Sequence, residues 1–186
     1  CMRTSLPAVS LATSLVSASF TSCNISNTNL EVLQHPFNRL YRNVLGGVFD
    51  LEYGIDLVMK GVSISNTHNT IDVPASELSG QMLGGLFAVW DSSTAHLTDC
   101  AIVNTTIMSI QNGVLGGMAS MGCLGFLAMI GCRISIMVAV ADDDVYGAII
   151  DMDDASCTLK ACNINSTSAT SWREDVAGAV IHLVAG

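Results

Sequence analysis

The sequence predicts an all-β solenoid of about five stacked coils, each with about three short strands. One eight-residue motif, with glycine at its third position, occurs five times and indicates an internal repeat. Apolar residues within it alternate over short stretches with a period of two, which is typical of strands. Because like residues recur at a nearly fixed distance, stacked units place each strand beside its own copy, parallel and in register. The copies are VLGGVFDL at 44–51, MLGGLFAV at 82–89, VLGGMASM at 114–121, VYGAIIDM at 145–152 and VAGAVIHL at 176–183.

A second motif follows the first glycine of each unit. The first glycines are separated by 38, 32, 31 and 31 residues, and the second motif begins 16 residues after Gly46, Gly84 and Gly116 and 15 residues after Gly147. A further copy of the second motif, from Cys23, precedes Gly46. Glycines, Asn-Thr pairs and frequent Ser/Thr residues weaken helices of this length, so the repeat favours strands separated by bends. Copies of the second motif are CNISNT from Cys23, VSISNT from Val62, CAIVNT from Cys100, CRISIM from Cys132 and CNINST from Cys162.

Composition excludes several classes of protein. Half of the 186 residues are apolar, 12% are charged, and the net charge is −9. The seven Lys and Arg residues are scattered singly, whereas nucleic-acid and anionic-membrane surfaces need clustered positive charge. No run of about 18 uninterrupted apolar residues occurs, so we expect neither a nucleic-acid partner nor membrane insertion.

A Gly-Gly pair before an apolar strand, with C-x-I-x-N-T about 16 residues later, resembles the repeat of right-handed parallel β-helices of the pectin-lyase-like class. The closest type is that of polymorphic outer-membrane proteins, with GGAI and FxxN repeats, although Ile replaces the family's Phe here. The resemblance extends from about Ala18 to Leu183. It implies a right-handed parallel β-helix that spans 1–186 as one domain, a fragment or subunit of a larger solenoid or assembly. It implies no particular function, because this architecture occurs in enzymes, adhesins and scaffolds.

Two columns of the second motif are predicted to lie in the core. Its third position is isoleucine in every copy, and stacked β-branched residues pack well in parallel strands. Val62 replaces cysteine once at the first position, which favours reduced thiols in a small apolar slot over zinc ligands. A disulfide that includes Cys123 or Cys157 stays open, since both lie off this column. The isoleucines are Ile25, Ile64, Ile102, Ile134 and Ile164.

The fifth position of the second motif is predicted to form a ladder of asparagine side chains that pass hydrogen bonds from coil to coil at a turn. Asn104 belongs to this ladder and is expected to point inward. Of the three N-x-[ST] sequons, only those at Asn24 and Asn165 are then expected to point outward as candidates for glycosylation. The column consists of Asn27, Asn66, Asn104, Ile136 and Ser166.

The residue two positions after the first glycine is apolar in every unit, although strict alternation points it outward. Either the Gly-Gly bend resets the alternation, or these residues form an outer apolar ladder that contacts a partner. The candidate partner-contact residues are Val48, Leu86, Met118, Ile149 and Val180.

Six aspartates are concentrated between positions 142 and 154. Calcium takes six to eight oxygen ligands and is therefore a candidate, but the spacing is not that of an EF-hand and a solvated acidic face is favoured. No cofactor is predicted. The calcium candidates are Asp142, Asp143, Asp144, Asp151, Asp153 and Asp154.

The favoured function is that of a non-catalytic surface or structural protein outside the cell, either adhesin-like or a building block of a filament or coat. Low charge, abundant Ser, Thr and Asn, and a sequence made of repeats favour it, and the long turns Asn29–Asn43 and His68–Gln81 are expected to carry specificity. The expected partners are other protein chains, by self-assembly or in a larger complex, with glycans as a further ligand class. Both ends lack polar caps, so we do not expect a free monomer.

The alternative is a β-helix enzyme that binds or cleaves polysaccharides. Such an enzyme needs carboxylates grouped with a basic residue on an outer face. His182 and Asp151, one coil apart, are the best catalytic candidates. Aromatic platforms for sugar rings are limited to Trp90 and Trp172.

Overall fold

The computed structural model describes residues 9–11, 17–33, 44–45, 47–72, 82–110, 113–173, 175–178 and 180–184. Within these residues the secondary structure consists of strands, turns and bends, without a helix. The strands are β1 (Val9–Leu11), β2 (Ser17–Thr21), β3 (Asn24–Ser26), β4 (Asn29–Leu33), β5 (Val44–Leu45), β6 (Phe49–Leu51), β7 (Asp56–Lys60), β8 (Ser63–Asp72), β9 (Met82–Leu83), β10 (Phe87–Val89), β11 (Thr94–Thr98), β12 (Ala101–Ser109), β13 (Val114–Leu115), β14 (Ala119–Gly122), β15 (Phe126–Ile130), β16 (Arg133–Ala141), β17 (Val145–Tyr146), β18 (Ile150–Asp153), β19 (Ser156–Lys160), β20 (Asn163–Ser171), β21 (Val176–Ala177) and β22 (Ile181–Val184).

The strands form four parallel sheets, which the chain visits in a fixed order. Sheet A is β1-β6-β10-β14-β18-β22, sheet B is β2-β7-β11-β15-β19, sheet C is β3-β8-β12-β16-β20 with β4 also on β8, and sheet D is β5-β9-β13-β17-β21. Each return to a sheet adds the next strand, so the chain forms five levels, which begin with β1, β6, β10, β14 and β18. This parallel all-β topology is compatible with the predicted solenoid. Sheet D, made of two-residue strands, is additional to the three strands predicted for each unit.

The main core is formed by inward residues of sheets A and B and of the first half of sheet C. The isoleucine column lies in register along sheet C, and its three middle members, Ile64, Ile102 and Ile134, are completely buried as predicted. On sheet A the Phe49 and Phe87 rings stack, with centroids 5.4 Å apart and planes 5° apart. Equivalent side chains on adjacent levels thus stack on one another along the core.

A second, smaller core lies between the later part of sheet C and sheet D. It contains Ile71 and Ile107 from sheet C together with Val114 and Val145 from sheet D. The second glycine of the repeated motif allows the backbone to approach this core, because a Cβ at Gly85 would collide with the Ile107 side chain and with the carbonyl oxygen of Gly117. The Gly-Gly pair therefore has a packing role as well as a turn role.

Residues with positive φ mark the bends of every level. The first glycine of the repeat provides the bend between sheets D and A, with φ of +67° at Gly84 and +66° at Gly116. Many of the other bends use Gly, Asn or Asp, which tolerate the left-handed region best, but Tyr53, Leu124 and Ala161 also adopt positive φ. Those at the middle of sheet C are Asn27, Asn66, Asn104, Ile136 and Ser166.

The column proposed as a partner-contact ladder belongs to the main core instead. Val48, Leu86, Met118 and Ile149 are completely buried, so the outward assignment is wrong and the bend does reset the alternation. The cause is the left-handed first glycine, which rotates the chain before sheet A begins. Val180, in the last described copy of the motif, is 39% exposed.

Candidate functional site

The predicted pair of Asp151 and His182 is in contact on sheet A. The two residues are register partners on β18 and β22, and Nδ1 of His182 lies 2.7 Å from Oδ1 of Asp151. Both side chains point away from the main core, yet Asp151 is only 7% exposed. This is the most enclosed charged contact among the described residues.

Burial dominates the electrostatics of Asp151. Desolvation raises the pKa of its carboxyl group, and the hydrogen bond with His182 offsets part of that rise. On its other side the imidazole lies against Tyr146, with ring centroids 4.9 Å apart. The Tyr146 hydroxyl donates to Oδ2 of Asp144 at 2.9 Å, and this bond is the main reason that the pKa of Tyr146 is raised. A connected polar group therefore joins sheets A and D.

This group contains some of the residues that an acid–base catalytic site needs. A carboxylate that accepts from Nδ1 orients an imidazole and leaves Nε2 as a base. Cleavage of a glycosidic bond also needs two carboxyl groups on either side of the bond. Asp144 is already engaged by Tyr146 and by the backbone N–H of Asp175, 3.1 Å away. The exposed Asp153 lies two residues from Asp151 on β18, and its charge contributes to the raised pKa of Asp151. The contacts therefore orient the histidine, with Asp153 rather than Asp144 as the candidate for a second carboxyl group.

The six candidate calcium ligands are distributed over two bends and one strand. Asp142, Asp143 and Asp144 follow sheet C, whereas Asp151 and Asp153 lie on β18 and Asp154 at the next bend. Asp142 forms an ion pair with Arg173, Oδ1 to Nε 3.0 Å. In the described part of the chain no group of three or more His, Cys, Asp or Glu side chains is arranged to hold a metal ion. The six calcium candidates thus do not form a metal site within these residues.

The cysteine column consists of free thiols packed against backbone carbonyls. Cys100 and Cys132 are buried, and Sγ of Cys132 donates to the carbonyl oxygens of Leu97 and Ile130 at 3.5 Å. The hydrogen bond with Cys100 and burial raise the pKa of Cys132. Burial and the nearby Cys162 raise the pKa of Cys157 to about 11. Cys123 and Cys157, the two disulfide candidates, are also free.

The asparagine ladder forms, but on the outside of the protein. Nδ2 of Asn104 donates to Oδ1 of Asn66 at 2.7 Å, and Nδ2 of Asn66 donates to Oδ1 of Asn27 at 3.3 Å. All three side chains are exposed, so the inward prediction for Asn104 is wrong. Positive φ at each asparagine breaks the alternation that the prediction assumed. The sequon asparagines Asn24 and Asn165 are exposed as expected.

Sequence reasoning missed Asp50, which faces outward on sheet A beside Ala88. Burial, and to a smaller extent Glu52, raise its pKa to about 7. Its Oδ1 is buried without a hydrogen-bond partner among the described residues. The sequence did contain a signal for this enclosure. The residues at the same position on the next two levels are the small Ala88 and Ser120, and both are almost completely buried.

The remaining candidates are placed as follows. Trp172 is 58% exposed, whereas Trp90 is half-buried and its ring covers Gly122. Of the two long turns, residues 29–33 form β4 and 68–72 complete β8, while 34–43 and 73–81 lie outside the described residues. No helix in the described residues has the length and apolarity to cross a membrane.

Comparisons with known proteins identify no relative, so the class of this protein is defined by its fold alone. No protein-family model, no curated protein and no solved structure matches this chain. The protein is an all-β protein of parallel sheets, built from sequence repeats.

Proposed function

We propose that the chain is a right-handed parallel β-helix of five coils that acts as a non-catalytic surface or structural protein outside the cell. The observation that carries this proposal is the register: equivalent residues of successive repeats are aligned along sheets A, B and C. A right-handed winding is supported because connections between parallel strands of one sheet are right-handed in about 98% of cases.

The packing supports a role that depends on the outer faces. Among the described residues, buried side chains fill the space between sheets A, B and C, which favours contacts on the outer faces over an internal ligand site. The exposed surface of sheets B and C is rich in Ser, Thr and Asn. A regular scaffold with a filled interior presents the same geometry at each level, which suits an adhesin-like protein or a unit of a filament or coat.

The test compares catalysis with assembly. We expect the purified chain to release neither unsaturated nor reducing ends from uronate and neutral polysaccharides, and to self-associate in light scattering as its concentration rises. Catalytic release of such ends would contradict the proposal. A soluble monomer at all concentrations would remove the structural role and leave only that of a surface protein.

The Asp151–His182 contact favours one alternative, a β-helix enzyme that binds or cleaves polysaccharides. In that case cleavage disappears in His182→Ala and persists in His96→Ala, the matched control on sheet B. His96 is exposed and contacts the Phe126 ring at 5.6 Å. Loss of activity in both variants would indicate a general effect on folding and would count against the alternative.

The exposed Asn24 and Asn165 side chains support the extracellular location. After expression through a eukaryotic secretory pathway, we expect a mass shift that Asn24→Gln and Asn165→Gln each reduce. Asn104→Gln is the comparison, since Nδ2 of Asn104 is already engaged in the ladder. An unmodified secreted chain would contradict the glycosylation candidates.

A further inference from the structure

The outer face of sheet B is a regular surface of five strands, each five residues long. It is formed by the first, third and fifth residues of β2, β7, β11, β15 and β19, which lie in register in three columns. We call this surface the sheet B face. Its side chains lie on the side of the sheet away from the main core, which the residues between them fill. Most of them are exposed, whereas Thr94, Thr98 and Phe126 are half-buried and Ala128 is buried. The first column is Ser17, Asp56, Thr94, Phe126 and Ser156, the second is Ser19, Val58, His96, Ala128 and Thr158, and the third is Thr21, Lys60, Thr98, Ile130 and Lys160.

Charge is distributed on the sheet B face in an unusual way for this chain. The net charge is −9, yet both lysines of the sequence, Lys60 and Lys160, lie in the third column of this face and are exposed. One acid, Asp56, lies at the other end of the strand that carries Lys60. The face is therefore slightly positive on a strongly acidic protein, with opposite charges at opposite edges of level 2.

The fourth level of the face is apolar. Phe126, Ala128 and Ile130 occupy its three columns, and Ile130 is 44% exposed. Their register partners on the levels above and below are hydroxyl-bearing residues, His96 or Lys160. Phe126 is half-buried and Ala128 is buried, so the strip exposes apolar area mainly at Ile130 and in part at Phe126. Exposed apolar area bordered by polar residues is characteristic of a contact surface.

We propose that a second copy of this chain binds the sheet B face, with a twofold axis parallel to the direction in which the levels stack. This inference rests on the proposed structural function and specifies its interface. The axis brings the first column of one copy opposite the third column of the other at the same level. Asp56 then faces Lys60 of the other copy, and Phe126 faces Ile130. Hydroxyls face hydroxyls at levels 1 and 3, and at level 5 Lys160 lies opposite Ser156, beside the exposed Asp154.

The other face-to-face twofold arrangement does not pair these groups. An axis parallel to the strands brings level 2 opposite level 4, so Asp56 would face Phe126 and Lys60 would face Ile130. Burial of both charges against apolar side chains costs several kcal/mol per ion unless they are paired. The distribution of charge thus selects the axis along the stack as well as the occupant.

The expected interface is small. Five strands about 4.8 Å apart, each five residues long at about 3.3 Å per residue, give a face of about 400 Å². A stable interface usually buries about 800 Å² on each partner. We therefore expect a weak dimer that forms at high concentration, with charge pairs that determine its orientation more than its affinity.

Sedimentation velocity from low concentration to about 1 mM tests the proposal, because a weak dimer is populated in that range. We expect the wild type to dimerise and Lys60→Asp to stay monomeric, since two acids then face each other at level 2. Asp56→Lys should also stay monomeric. The double variant with both changes restores opposite charges under this axis and should dimerise again. Rescue by the double variant is specific to the proposed pairing.

Arg133→Asp is the matched control, because it reverses an exposed charge on the outer face of sheet C. We expect it to dimerise like the wild type. Asp56→Lys also removes the hydrogen bond that Oγ1 of Thr94 donates to Oδ1 of Asp56 at 2.5 Å, so melting temperatures are measured to show that every variant is folded. A wild type that stays monomeric, or association unaffected by Lys60→Asp, would overturn the interface. Association through another surface would leave the structural function intact, whereas polysaccharide cleavage would contradict that function whatever the oligomeric state.

Discussion

The isoleucine column and the asparagine column lie two residues apart on the same strands of sheet C, but one is buried and the other is exposed. Ile102 is completely buried, whereas Asn104 is exposed and bonded to Asn66. Simple alternation would put both columns on the same side of the sheet. Positive φ at each asparagine, +56° at Asn104, turns its side chain outward and bends the sheet. Side chains therefore alternate between inward and outward positions only along the stretch of strand from one residue of positive φ to the next.

The two columns also stabilise the fold in different ways. The isoleucines gain from burial of apolar area, about 1.5–3 kcal/mol for a whole side chain. The asparagines gain from tolerance of the left-handed region and from amide hydrogen bonds that compete with water, about 1 kcal/mol each. Ile136 gains little from either effect. It is a β-branched residue with an unfavourable φ of +57°, and its side chain is 48% exposed.

The largest expected effect comes from placing the same carboxylate in each column. Ile102→Asp should lower the free energy of unfolding by about 4 kcal/mol or prevent folding, since it buries an unpaired charge. Asn104→Asp should cost only about 1 kcal/mol, because that side chain is exposed and Asp also tolerates positive φ, so the main loss is the hydrogen bond to Asn66. Urea denaturation measures both. Equal losses in the two variants would show that the columns do not differ in burial.

Much of the fold could be predicted from the repeat alone. Period-two alternation and constant spacing predicted parallel strands with Ile64, Ile102 and Ile134 aligned in the core, and the structure confirms this. The direction of the residues beside the bends could not be predicted in the same way. It depends on φ at glycine and asparagine, which is why Met118 and Asn104 were assigned to the wrong sides.

For the candidate site, the sequence predicted which residues lie close together but not how buried they are. A one-level separation predicted the contact between Asp151 and His182. The burial of Asp151, the position of Tyr146 against the imidazole and the enclosure of Asp50 depend on how the outer faces pack. Outward position in a strand does not determine exposure to solvent, because side chains from another sheet can cover it.

Two glycines with positive φ, Gly116 and Gly54, offer a second comparison, between a crowded bend and an open one. Gly116 has φ of +66°, and a Cβ there would collide with the carbonyl oxygen of Ala119. Gly116→Ala should therefore cost about 3 kcal/mol, from backbone strain together with the collision. Gly54→Ala should cost about 1 kcal/mol, because its φ of +77° is unfavourable but no atom lies within 4 Å of the added Cβ. Thermal denaturation distinguishes them, and similar losses would mean that the collision is relieved cheaply.

Asp50 shows how an outward residue of sheet A differs from the exposed asparagines. Its pKa is raised from 3.8 to about 7, so the folded state binds the proton more tightly than the unfolded chain. This stabilisation is complete below the unfolded value and is lost as pH rises towards 7. Since Asp50 is partly exposed, we expect a loss of about 1–2 kcal/mol.

Asp50→Asn should remove that part of the pH dependence, because the amide stays neutral. The variant should be as stable as the wild type at about pH 4 and more stable at about pH 8. The exposed Asp143→Asn should leave the profile unchanged. Melting temperatures across this range provide the measurement. A parallel pH profile for the wild type and Asp50→Asn would show that the enclosure of Asp50 has no energetic consequence.

The smallest expected effect is a gain in stability, at the position where the asparagine column is interrupted. Ile136 lies between Asn104 and Ser166 in that column, with positive φ and with only about half of its side chain buried. Ile136→Asn should raise the free energy of unfolding by about 1 kcal/mol, because asparagine tolerates the left-handed region and can bond to Asn104. The control is Val138→Asn, which changes an outward residue two positions later in the same strand without positive φ. That variant should be neutral or slightly destabilising, because asparagine is depleted in regular strands. Equal changes in stability for the two variants would show that asparagine does not stabilise this column through its tolerance of positive φ.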